Sequence, residues 1–167
     1  MNDANSRDVV NRIKASEVAV NIYARWVAQW FPAWVQVTRI RPTKDKASEN
    51  ADVCDVITLE NNVFVKNEVK GRSNRFTGKD DFPRDKAIVM SKRSYDNKVA
   101  KYGPPKRFIE LSADRKYFAL IDVEETRDLW EVEPIFDPKR GYATECYVVS
   151  KDECVFGRLK KRSKHHE

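Results

Sequence analysis

The chain has 167 residues, the size of one ordinary domain, and 41% of them are hydrophobic, which is enough to fill a single core. Charged residues make up 35% of the chain and the formal net charge is +6, so the composition favours a polyanionic partner without establishing one. No stretch approaches the roughly 18 apolar residues of a membrane-spanning helix, and residues 1–10 lack the features of a signal peptide, which argues against a membrane or secreted protein. Cys54, Cys146 and Cys154 show no CxxC spacing, which argues against a disulfide framework or a zinc knuckle and indicates a reducing, cytoplasmic setting.

The first predicted element is a long amphipathic helix over residues 6–31. Ile13, Val20 and Val27 fall on one side of it at about 100° per residue, and Pro32 ends it. Aromatic residues at helical spacing, such as Tyr23, more often pack in the core than stack on nucleic-acid bases.

Three strands are predicted next. β-branched and aromatic residues indicate a strand over residues 34–38, before the polar run 42–50. Two further strands, 52–59 and 63–70, are separated by Glu60-Asn61-Asn62, which is typical of a hairpin turn. The second and third strands are therefore expected to lie antiparallel.

The rest of the chain predicts short alternating elements and a basic tail. The polar segment 72–84 is interpreted as a mobile loop, and Ser91 as the cap of a helix that runs to about Lys101. The tail from Arg158 to Lys164 has five basic residues in seven, so the chain divides into one domain, 1–157, and a disordered tail, 158–167. The segments with strand character are residues 86–90, 107–111, 117–123, 130–135, 146–149 and 155–156.

A candidate active site lies on the predicted hairpin. Asp55 is an isolated carboxylate among apolar residues of its strand, and Glu68 and Lys70 share one face of the next strand about 7 Å apart. Two neighbouring carboxylates repel each other unless a divalent cation lies between them, and Mg²⁺ prefers carboxylate oxygens with several waters. Such a site can hydrolyse a phosphodiester, with Lys70 orienting or deprotonating the water.

The acidic-x-Lys triplet alone is a weak signal, because Asp96-Asn97-Lys98 and Asp114-Arg115-Lys116 also match it. Context distinguishes Glu68-Val69-Lys70: it ends a strand, lies 13 residues after Asp55, and follows a long helix and an Asp-bearing strand. The alternative is a Glu–Lys ion pair beside an unrelated surface aspartate.

This order of elements and residues, over about residues 6 to 123, resembles the PD-(D/E)XK, or restriction-endonuclease-like, nuclease superfamily. The resemblance implies an α/β fold with a mixed central β-sheet flanked by helices, here with additional C-terminal strands. It also implies Asp55, Glu68 and Lys70 as catalytic residues, with Asp55, Glu68 and the Val69 carbonyl as metal ligands. Cys54 stands where the name-giving proline would be.

The implied activity is that of a Mg²⁺-dependent endonuclease, with Mn²⁺ as an alternative metal, that cleaves DNA and leaves a 5′-phosphate and a 3′-hydroxyl. Resolvase-like members carry a glutamate on the first helix, which makes Glu17 a candidate catalytic residue and metal ligand. Otherwise Glu17 lies at the edge of the apolar stripe and reaches solvent. The family also places a positive or polar side chain near the scissile phosphate, for which Lys86, Lys92 and Arg93 are candidates unless they are solvated surface charges.

The segment after Lys70 is a further candidate for DNA contact. Arg72, Arg75 and Lys79 are cations that suit phosphate contact, and Phe76 could stack on a base, although an ordinary polar loop would have the same composition. Two other functions stay open: an inactive nuclease-fold module that binds nucleic acid, alone or as a subunit of a larger complex, and a structural or interaction protein. Many small members of the superfamily act as dimers, so the resemblance leaves a homodimer open, and the size and charge suit a phage protein.

Overall fold

A computed structural model describes residues 16–29, 54–138 and 140–160, together with the backbone of residues 35–37. None of the helices in these ranges has the length and apolar character needed to cross a membrane. The described elements are α1 (16–27), β1 (Val35–Val37), β2 (Val56–Glu60), β3 (Val63–Gly71), β4 (Lys86–Ser91), α2 (Lys92–Tyr102), β5 (Arg107–Leu111), β6 (Tyr117–Asp122), α3 (Val123–Thr126), β7 (Glu131–Asp137), β8 (Tyr142–Ser150) and β9 (Val155–Arg158).

The strands form two sheets. The larger is a six-stranded mixed sheet in the order β1-β2-β3-β5-β6-β9, in which only β3 and β5 are parallel to each other. The connection between these parallel strands contains α2. The smaller sheet is antiparallel in the order β4-β8-β7. The expected α/β class, with a mixed sheet, helices and additional C-terminal strands, is confirmed at this level.

The six-stranded sheet is covered on both sides. On one side, here called the α1 face, Val69 and Ile109 pack with Val20 of α1. On the other, the α2 face, Phe108 packs with Tyr95 of α2 and with residues of the smaller sheet. Because side chains alternate along a strand, Glu68 and Lys70 of β3 belong to the α2 face.

Three local predictions are confirmed: the hairpin turn, the helix cap and the buried tyrosine of α1. Asn61 and Asn62 have φ values of 49° and 63°, the left-handed conformations of a tight hairpin turn. Ser91 caps α2 by accepting a hydrogen bond from the Ser94 backbone N–H at 3.3 Å. Tyr23 is buried in the core, as its helical spacing indicates.

The segment 72–84 contains no helix or strand, as expected of a loop. It contributes to the core, however, because Phe76 and Phe82 are 1% and 5% exposed and pack edge to face, with centroids 5.1 Å apart. β9 ends at Arg158, the first residue of the predicted tail. The predicted start and end of the first helix, and residues 161–167 of the tail, lie outside the described residues.

Candidate active site

The β2–β3 hairpin brings Asp55 and Glu68 together. Val56 pairs with Asn67, so the antiparallel register continued by one residue places Asp55 opposite Glu68. The Asp55 backbone N–H donates to the Asn67 carbonyl at 3.1 Å, and Asp55 Oδ2 accepts from the Val69 N–H at 2.8 Å. The aspartate is therefore held by the backbone of the strand that carries Glu68.

Glu68 is an almost fully buried carboxylate, with 1% of its surface exposed. Its Oε1 accepts a hydrogen bond from Lys98 Nζ of α2, and its Oε2 lies 3.9 Å from Lys70 Nζ. Oε2 has no hydrogen-bond partner among the described residues. Burial, together with repulsion from the Asp55 carboxylate, raises the pKa of Glu68 to about 7 against the opposing attraction of Lys70 and Lys98.

Two lysines therefore flank one carboxylate, in different environments. The Lys70 side chain is 37% exposed and the Lys98 side chain is 15% exposed. Lys70 can reach a substrate in solvent, whereas Lys98 is enclosed between α2 and the sheet.

Lys98 is not among the residues predicted from the sequence. It belongs to one of the triplets, Asp96-Asn97-Lys98, that the motif matches by chance. The signal that could have found it is helical spacing, since it lies three residues after Tyr95, which is buried against Phe108.

Glu17 lies on α1, on the helix that covers the α1 face, and is half-buried. Glu68 belongs to the opposite face of the sheet. Among the residues that the structure describes, no three His, Cys, Asp or Glu side chains lie close enough to hold one metal ion together. The structure thus does not assemble Glu17 with Asp55 and Glu68 into a three-carboxylate cluster, and its role stays a prediction.

The candidate DNA-contacting residues after Lys70 lie in different surroundings. Arg72 is mostly enclosed: its Nε lies 3.3 Å from Glu110 and its Nη2 donates to the Ile88 carbonyl at 2.9 Å. Arg75 is exposed, and Lys79 Nζ lies 2.5 Å from Asp152 Oδ1. Phe76 is a core residue, so its predicted stacking on a base is wrong.

Two of the three cations proposed for the scissile phosphate pair with carboxylates other than Glu68. Lys86 forms ion pairs with two glutamates of β7, and Lys92 pairs with Asp96 within α2. Arg93 is exposed on α2. It is Lys98 of the same helix that reaches the carboxylate.

A second buried carboxylate, Glu110, lies beside Lys70. It is 3% exposed, and its Cα is the β5 partner of Lys70 in the parallel register. Its Oε1 accepts from Arg84 Nη2 at 2.8 Å and lies 3.3 Å from Arg72 Nε. Neither Glu110 nor Arg84 is predicted from the sequence, because only the pairing of β5 with β3 brings them to the site.

The donor chemistry around Glu68 suits a hard divalent cation. Asp55 and Glu68 supply carboxylate oxygens, the ligands that Mg²⁺ prefers together with waters. The buried Oε2 of Glu68, without a hydrogen-bond partner in the described parts of the chain, is an acceptor that an ion could satisfy. The two carboxylates therefore fit such an ion.

Comparison of the chain with protein-family models, curated proteins and solved structures finds no match.

Proposed function

We propose that this protein is a Mg²⁺-dependent nuclease that hydrolyses phosphodiester bonds of DNA, with Asp55, Glu68 and Lys70 as its catalytic residues. The observation that carries the proposal is the Glu68 carboxylate, which is 1% exposed and lies beside Asp55. Its Oε2 atom lies 3.9 Å from Lys70 Nζ and has no hydrogen-bond partner among the described residues. Burying two interacting carboxylates costs free energy, and groups with strongly shifted pKa values concentrate at functional sites.

The topology supports the same proposal. β1, β2 and β3 form an antiparallel meander, and β5 then lies parallel to β3 after a connection that contains α2. Asp55 immediately precedes β2, and Glu68 and Lys70 lie near the end of β3. This is the order of helix, strand, Asp-bearing strand and Glu-x-Lys strand on which the resemblance to PD-(D/E)XK nucleases rests.

The residues of the chain would divide the work as follows. Asp55 and Glu68 would hold the ion, and bound Mg²⁺ would supply Lewis acidity toward the phosphate and activate a water. Lys70, the more exposed lysine, would orient the attacking water and offset negative charge on the phosphate. Lys98 would keep Glu68 oriented through a hydrogen bond to Oε1.

Cleavage assays test this proposal directly. Supercoiled plasmid, branched DNA and single-stranded DNA are incubated with the protein and Mg²⁺, Mn²⁺ or EDTA. We expect metal-dependent cutting that falls by about 100-fold or more in Asp55→Ala and Lys70→Ala. Asp80→Ala and Lys116→Ala, which remove exposed residues of the same types, are matched controls and should cut like the wild type. Equal losses in the controls would contradict the assignment of the site.

Metal binding can be measured separately from cutting. An ion that binds only the folded state raises the unfolding temperature of the protein. We expect Mg²⁺ or Mn²⁺ to raise it in the wild type at pH 8 and to have no effect on Asp55→Ala. An identical shift in both proteins would place any metal elsewhere.

One observation favours a second candidate, a nuclease-fold module that binds DNA without cutting it. The Lys98 ammonium already pairs with Glu68, and the described residues include no cluster of three metal-ligating side chains. This candidate predicts that duplex DNA binds, is not cut with any metal, and binds equally well to Asp55→Ala. Metal-dependent cutting by the wild type alone would exclude it.

A further inference from the structure

Besides Lys98, three cationic side chains lie on the α2 face near the end of β3, and of these three only Lys70 belongs to the proposed catalytic set. The other two, Arg72 and Arg84, share the buried carboxylate of Glu110. Glu110 is the β5 partner of Lys70, and neighbouring strands lie about 5 Å apart. The arginine pair is therefore next to the proposed site of chemistry.

The two arginines are held differently. Arg72 is fixed from two sides, by Glu110 and by the Ile88 carbonyl, and its side chain is 25% exposed. The Ile88 carbonyl lies at a register irregularity of the edge strand β4. Arg72 thus joins β4 to Glu110.

Arg84 retains donors that could serve a ligand. Its side chain is 32% exposed, and its Nη2 donates to Glu110 at 2.8 Å, while its guanidinium lies 5.6 Å from the centroid of the Phe82 ring. A guanidinium has five N–H donors in a rigid fork that matches phosphate oxygens. Among the described residues, Glu110 is the only side chain or backbone group that accepts a hydrogen bond from the Arg84 guanidinium.

We propose that Arg84 binds a backbone phosphate next to the scissile one, and that Glu110, itself held by Arg72, positions its guanidinium. The inference rests on the proposed function for the identity of the ligand, a nucleic-acid phosphate. The Arg84 guanidinium contacts Glu110, whose backbone pairs with that of Lys70, so it lies within side-chain reach of the proposed site of chemistry. Glu110 and Arg72 act through Arg84 and do not touch the substrate.

Binding without catalysis gives the first test. A 20-base-pair duplex is titrated in EDTA at several NaCl concentrations, with the wild type, Arg84→Gln and Arg140→Gln. Arg140 is a matched control, because it is also an arginine paired with a carboxylate, 3.5 Å from Asp137. We expect Arg84→Gln to weaken binding about tenfold and to reduce the slope of log K against log [salt] by about 1. Arg140→Gln should keep the wild-type slope.

Glu110→Gln separates positioning from charge. It removes one buried negative charge and so raises the net charge of the protein by one, and an electrostatic role alone therefore predicts tighter binding and unchanged or faster cleavage. We expect instead that kcat falls about tenfold, because the fork of Arg84 is no longer oriented. Arg84→Lys should keep the salt slope of the wild type but lose activity in the same way, since its point charge lacks the fork.

The outcomes distinguish the two proposals. A wild type that binds the duplex but does not cut it overturns the nuclease, whereas the salt slope of Arg84→Gln still decides the phosphate subsite. An unchanged slope in Arg84→Gln overturns the subsite even if cutting is metal-dependent, and so does a wild type that does not bind the duplex. Thermal unfolding of each variant shows whether a loss of activity reflects a loss of folded protein. If Arg84→Gln or Glu110→Gln does not fold, the activity and salt slope of Arg84→Lys decide whether the subsite exists.

Discussion

At the scale of single residues, the ionised form of the buried Glu68 carboxylate destabilises the folded protein. Its neighbours include two lysines, yet burial and the adjacent Asp55 carboxylate outweigh them and raise the pKa of Glu68 to about 7. Glu60 shows the opposite balance: it is paired with both Nη atoms of Arg107 at 2.6 and 2.7 Å, and this pairing lowers its pKa. One carboxylate therefore costs stability when ionised and the other contributes it.

This contrast predicts opposite pH dependences. A raised folded-state pKa contributes stability that is fully present below about pH 4.5 and is lost as the pH rises through about 7. Glu68→Gln mimics the protonated form, so we expect it to be more stable than the wild type at pH 8, by on the order of 1 to 3 kcal/mol, and similar at pH 4.5. Urea denaturation at the two pH values measures the difference.

Glu60→Gln is the matched control for that experiment. Because the folded-state pKa of Glu60 is lowered, its contribution is present at pH 8 and is lost as the pH falls below its ordinary value. The variant should therefore be less stable than the wild type at pH 8. A Glu68→Gln variant destabilised to the same extent would contradict the balance derived for the site.

At the scale of elements, β9 pairs with β6 through a glycine placed opposite an aromatic ring. Gly157 is the register partner of Phe118, whose ring belongs to the core on the α1 face and lies 5.4 Å from that of Trp26. A Cβ on Gly157 would lie 2.5 Å from Phe118 Cζ. The absence of a side chain at this position is what allows the ring to lie against the strand.

Gly157→Ala should therefore destabilise the protein by about 1 to 3 kcal/mol, because the ring must move within a packed core. Gly78→Ala is the control, since a Cβ there meets no atom within 4 Å. Denaturant midpoints of both variants test the prediction. A shift of the same size in both would show that the ring of Phe118 is not the cause.

At the scale of the molecule, the six-stranded sheet is shared by two cores. Trp26 packs against the core on the α1 face and Trp130 belongs to the core on the α2 face. Trp130 also stands between α2 and the smaller sheet, with its ring 5.2 Å from Tyr95 and 5.7 Å from Tyr147. Loss of the shared sheet would remove one wall from each core.

We expect the two cores to unfold in one transition, because neither retains its packing surface without the sheet. The chain has four tryptophans, so variants that retain only Trp26 or only Trp130, with the others replaced by phenylalanine, report on one core each by fluorescence. Their denaturation midpoints, corrected for the stability of each variant by far-UV circular dichroism, should coincide with the loss of secondary structure. Separate midpoints for the two probes within one variant would contradict a shared unit.

The parts of this protein that are encoded locally could be predicted from its sequence. Alternation along 63–70 and the asparagines at 61 and 62 predict the hairpin, and with it the neighbourhood of Asp55, Glu68 and Lys70. These features depend on backbone preferences and on pairing between segments only a few residues apart, so composition and period are sufficient.

Only the tertiary structure decided which other charges surround the site. Lys98, Glu110 and Arg84 reach it because β5 pairs in parallel with β3, joining Asn67 to Arg107 across 40 residues, and α2 lies over that pairing. The same long-range packing against the smaller sheet buries Phe76 within a segment whose composition is polar. Register and face between distant segments depend on the summed burial of many side chains, which no local pattern in the chain records.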